Sequence, residues 1–99
     1  MQGYQSESLD KLLTAISLID NVDDAKKLFE DLFTIKELQD MAQRFETAIL
    51  LSEGKNYLNI AAEVGTSTAT ISRVKKCLDY GAGGYAKALE ILGENTNDD

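Results

Sequence analysis

No proline occurs in this chain, and its apolar side chains recur at spacings of three and four residues almost from end to end. That period lines one face of an α-helix, whereas no segment alternates apolar and polar residues as a half-buried strand does. An all-α fold is expected. Leu9, Leu12, Leu13, Ile16 and Ile19 form a first stripe, with Ser6 or Ser8 placed to cap it. Val22, Ala25, Leu28, Phe29, Leu32 and Phe33 form a second, and Asp23 and Asp24 suit the positive end of its dipole. Thr34-Ile35-Lys36-Glu37 spells a capping box, in which hydroxyl and carboxylate satisfy free backbone N–H groups. Leu38, Met41, Ala42, Phe45, Ile49 and Leu51 then carry a third helix to Glu53-Gly54, where glycine can take the left-handed terminating conformation. Shorter runs at 57–64 and 67–79 flank Gly65-Thr66, and a last run spans 84–92. Gly81, Gly83 and Gly84 read as a helix break, and the polar residues 93–99 as a frayed tail.

A chain of 99 residues allows one domain. With 43% hydrophobic residues it carries more apolar surface than so small a core can hide, so the helices of 6–54 are expected to serve dimerisation. One cysteine and no histidine exclude an internal disulfide, the usual zinc sets and histidine-based catalysis, leaving no cofactor or metal ligand set to name. No nucleophile and base can be paired, so no enzyme is expected. Asp, Glu or Lys interrupts every apolar run well before the roughly 20 residues of a membrane span. The first residues do not read as a secretory signal, and a cytoplasmic protein without membrane contact is expected. Net charge is −7, unevenly spread. Residues 1–54 hold 11 acids against 5 bases and residues 81–99 hold 4 against 1, while residues 55–80 hold 2 against 4. A local basic stretch in an acidic protein favours a single docking orientation on DNA.

That basic stretch contains the most informative window, Tyr57 to Lys76, which meets the demands of a helix-turn-helix. Ala61 is small where two steeply crossed helices touch, and Gly65 stands four residues on, where the backbone turns. Ile71 and Val74 are placed to bury against Ile60 and Val64, and Ser67 to cap the second helix. At about 100° per residue, Ile71, Val74 and Leu78 share one face and Ala69, Ser72, Arg73 and Lys76 another. Thr68, Ala69 and Ser72 are small enough to let the backbone approach base edges in a major groove, while Arg73, Lys75 and Lys76 suit phosphates. The same offsets also occur in helical proteins that bind only other proteins, so an interaction module without DNA binding is the alternative.

The string Ser67-Thr68-Ala69-Thr70-Ile71-Ser72-Arg73-Val74, followed by Tyr80-Gly81-Ala82-Gly83-Gly84-Tyr85, resembles the TrpR/YerC/YecD family of the Trp repressor superfamily. The likeness extends upstream through Leu32 to Leu38, Met41-Ala42-Gln43-Arg44 and Glu53-Gly54-Lys55, and so covers roughly residues 10 to 92. It implies an intertwined helical homodimer with a helix-turn-helix in each chain, acting on double-stranded DNA as a transcriptional regulator, most simply a repressor of a palindromic operator. It adds Thr70 as a phosphate contact. It also implies an effector pocket, in which Thr34, Arg44 and Arg73 match the threonine and two arginines that hold tryptophan in the superfamily's repressor. Two positions depart: Val74 replaces a glycine that lets the indole lie flat, and Cys77 replaces a serine. Valine fills space the ring needs, so tryptophan is not the expected co-ligand, and a smaller effector or none stays open.

The remaining residues carry weaker signals. Cys77 beside Arg73 and Lys76 suits a redox sensor, although a lone helical cysteine more often packs. Glu30-Asp31 and Asp23-Asp24 are better explained by helix dipoles than by a divalent ion. Lys26-Lys27 reads as a solvated face, and Tyr80 and Tyr85 as a hinge or a partner contact.

Overall fold

The computed structural model describes residues 6–96, which contain helices and no strand. They run α1 (Glu7–Leu18), α2 (Val22–Leu32), α3 (Ile35–Ser52), α4 (Tyr57–Ile60), a π-helical turn (Ala61–Gly65), α5 (Thr68–Tyr80) and α6 (Gly84–Thr96). None of these helices is long and apolar enough to cross a membrane. The backbone forms two compact units, one ending at Leu38 and one beginning at Gln39. Helix α6 continues through Gly93 to Thr96 instead of ending at Leu92, and residues 97–99 of the expected tail lie outside the described residues.

The first unit is built from capped helices. Ser6 Oγ accepts the Leu9 N–H at 3.0 Å, which settles the choice between Ser6 and Ser8. Asn21 Oδ1 accepts the Asp24 N–H at 2.8 Å, a cap the sequence reading missed in favour of the acids beside it. The capping box forms as expected: the Thr34 N–H donates to Glu37 Oε1 at 2.9 Å, and the Glu37 N–H donates to Thr34 Oγ1 at 3.1 Å. Phe29 and Phe33 pack tilted with ring centroids 5.4 Å apart. Neither α1 nor α2 contains a buried residue, and Leu18 and Val22 are 76% and 84% exposed.

The second unit holds the core. Helix α3 ends in a Schellman motif, with the Lys55 N–H on the Leu50 carbonyl and the Gly54 N–H on the Leu51 carbonyl. Leu50, Ile60 and Ile71 form the buried centre, and Leu51, Tyr57, Ala61 and Val64 pack around it. Ala48 and Val74 are also buried, as is Thr47, whose hydroxyl donates to the Gln43 carbonyl at 2.7 Å. Only the first turn of the expected 57–64 run is an α-helix, opened by Asn56 Oδ1 accepting the Asn59 N–H at 2.9 Å. The rest widens into the π-turn, which closes at Gly65 with φ +79°. Left-handed backbone of that kind is where glycine is cheap and other residues are strained.

Candidate nucleic-acid interface and an adjoining cavity

Helix α5 is held at its base by the core and at its start by a cap. Ser67 Oγ accepts the Thr70 N–H at 3.2 Å and donates to Thr70 Oγ1 at 3.2 Å, so one hydroxyl fixes both the helix start and a neighbouring side chain. Ile71 is fully buried and Val74 nearly so, while Leu78 is half-buried, which aims one face inward. Thr68, Ala69, Ser72, Arg73, Lys75 and Lys76 are all exposed. The face read from the sequence is therefore open to solvent, with small residues at its N-terminal end and cations along it. Thr70 is half-buried beside that face.

The cations are not equivalent. Lys75 Nζ lies 3.3 Å from Asp79 Oδ1, one helical turn away, whereas among the described residues Arg73 and Lys76 have no carboxylate partner. An exposed pair of that kind contributes at most about 1 kcal/mol, so it can yield to a phosphate, but the two free cations need no exchange. The start of α5 is tied further back by Gln43, whose amide Nε2 donates to the Val64 carbonyl of the π-turn at 3.4 Å. Sequence reasoning missed this link, because residues 21 positions apart leave no local pattern. Lys55 and Glu63 form a further exposed pair at 3.7 Å.

Arg44, Arg73, Val74 and Cys77 come together around a cavity of about 310 Å³, joined by Thr70 and Tyr85. Neither arginine has a carboxylate partner among the described residues. Val74 is buried to 2% exposure and Cys77 is an exposed free thiol. Thr34 belongs to the first unit, where its hydroxyl is engaged by the Glu37 N–H. Tyr85 stacks on Phe45, with centroids 6.5 Å apart and planes at 23°. No group of three or more Cys, Asp or Glu that could hold a metal ion occurs among the described residues.

A sequence profile of the Trp repressor protein family matches residues 7–92. The uncharacterized protein YerC of Bacillus subtilis (strain 168) is 44% identical over 90 residues, covering 91% of this chain and 86% of that protein. The crystal structure of a TrpR-like protein from Eubacterium eligens ATCC 27750 superposes with a TM-score of 0.85 at 44% identity, over 90% of this chain and 92% of that one. A Trp repressor candidate from Staphylococcus aureus gives a TM-score of 0.87 at 37% identity, over 94% and 95% of the two chains. Sequence and fold agree across nearly the whole chain, and the protein belongs to the Trp repressor family.

Proposed function

We propose that the protein is a sequence-specific DNA-binding transcriptional regulator, acting as a homodimer and most simply as a repressor. The observation that carries this reading is the division of α5 into a buried apolar face and an exposed face of small residues and cations. Thr68, Ala69 and Ser72 read base edges; Thr70, Arg73, Lys75 and Lys76 hold phosphates. The helix-turn-helix comprises residues 57–79, and residues 6–54 build the dimer. The unburied apolar stripes of α1 and α2 support a partner chain, and a two-fold dimer calls for half-sites about one helical turn apart. Arg44, Arg73, Val74 and Cys77 form an effector pocket that does not require tryptophan.

The test is selection of genomic fragments by the purified protein without added ligand, at roughly physiological salt because affinity depends steeply on it. Enrichment of a palindrome is expected. Arg73→Ala and Lys76→Ala should weaken binding to all sequences and each lower the salt slope by about 1, whereas Thr68→Ala or Ser72→Ala should change base preference. Unchanged binding in all four variants would sink the assignment of this face. Recovery of one stoichiometric protein partner and no DNA would favour an interaction module on the same fold.

A further inference from the structure

The basic stretch from Lys55 to Tyr80 contains two acids, Glu63 and Asp79, among its four cations Lys55, Arg73, Lys75 and Lys76. Each acid is paired with a lysine. Glu63 Oε1 lies 3.7 Å from Lys55 Nζ, and Asp79 Oδ1 lies 3.3 Å from Lys75 Nζ. All four side chains are 41–51% exposed, so either pair can open without leaving a buried charge unpaired. Lys55 stands at the entry of the helix-turn-helix, immediately before the Asn56 that caps α4, and the N–H it donates to the Leu50 carbonyl at 3.1 Å fixes its backbone. The first helix of such a motif crosses the phosphate backbone while the second enters the groove, so a cation at this entry is placed for a phosphate.

We infer that Lys55 is a further phosphate contact, and that Glu63 and Asp79 are internal substitutes for phosphate, each holding one lysine until DNA displaces it. This rests on the DNA-binding reading above and adds how the affinity is held down. A free cation that meets a phosphate releases a counterion from the DNA. A lysine that must first leave a carboxylate returns part of that gain, because the exposed carboxylate then attracts a cation of its own and repels the phosphates nearby. Arg73 and Lys76, without carboxylate partners among the described residues, contribute fully, and Lys55 and Lys75 contribute little. Weak single contacts suit a dimer, since a site that engages two linked heads gains from effective concentration and a stray sequence that engages one does not.

Fluorescence anisotropy of the full chain with a labelled short duplex of arbitrary sequence, from about 50 to 200 mM salt, tests this. Glu63→Gln and Asp79→Asn should each tighten binding about fivefold at the lower salt and steepen the slope of log affinity against log salt by about 0.9. Adding Lys55→Ala to Glu63→Gln should abolish that gain, as should adding Lys75→Ala to Asp79→Asn. Glu90→Gln, which frees Lys87 from a 3.3 Å pair of the same kind on α6, should change neither quantity. Equal gains in all three acid variants would reduce the effect to net charge and overturn the proposal, as would gains that persist after the paired lysine is removed. Unchanged affinity and slope in Glu63→Gln and Asp79→Asn, with binding that Arg73→Ala still weakens, overturns the role of the two pairs and leaves the DNA-binding face standing. No binding by the unmodified chain or any variant overturns both.

Discussion

Ser67 and Gln43 set the start of α5 from opposite directions. The Ser67 hydroxyl was legible in the sequence because capping is local: the residue type, its place before an apolar period and the open N–H groups lie within four positions. Ser67→Ala should lower the unfolding free energy by about 1 kcal/mol, read from chemical denaturation, and Ser67→Asp should retain most of it. Gln43 was not legible, since its Val64 partner is distant in sequence and nothing marks a glutamine on α3 as a donor to that carbonyl. The 3.4 Å link is long, so Gln43→Leu should cost less than about 1 kcal/mol in stability. Its effect belongs instead to position: DNA affinity of Gln43→Leu should fall by more than its stability, with Gln43→Lys, which restores a donor, recovering part of the loss. A fall in affinity that merely tracks unfolding would make Gln43 structural only.

At the scale of elements, periodicity separates buried from exposed residues well and helix types poorly. Ile60, Ala61 and Val64 satisfy the spacing of an α-helix, yet only Tyr57–Ile60 is one and Ala61–Gly65 is π-helical. The four-residue spacing of Ile60 and Val64 keeps side chains on nearly one face of either an α-helix or a π-helix, so the sequence pattern does not report the hydrogen-bond step. The burial pattern was legible because it depends on face alone: Ile71 and Ile60 are fully buried and neighbouring Leu58 is 78% exposed. Ile71→Ala should therefore cost about 2–5 kcal/mol, the loss of transfer free energy plus the cavity left in the core. Leu58→Ala should lie within about 0.5 kcal/mol of the unmodified protein, by the same denaturation measurement. Similar losses in the two variants would mean that α4 is turned differently against α5. Helix α6 ran past its expected end because Gly93 is tolerated in a helix at about 1 kcal/mol, a cost that neighbouring residues can absorb.

For the whole molecule, one chain's sequence states that apolar surface is in excess but not where it goes. The stripes of α1 and α2 were read correctly as helix faces, yet no residue of either helix is buried, and Leu13 remains 53% exposed. Leaving those side chains in water forgoes about 1.5–3 kcal/mol for each large one, which a partner chain would recover. Thermal stability should then depend on protein concentration, because association favours the folded state by mass action. Leu13→Glu distinguishes the cases. In a monomer a charge at a half-exposed position changes little, whereas in a dimer interface it is an unpaired buried acid. The variant should sediment as a monomer, lose the concentration dependence of its melting and bind a palindromic site roughly a hundredfold more weakly, since two linked heads gain from effective concentration and one does not. Its affinity for an isolated half-site should be unchanged, which separates loss of pairing from loss of the recognition helix. Sedimentation and melting identical to the unmodified protein would remove this stripe from the interface, and the paired-head geometry would then have to be assembled through other residues.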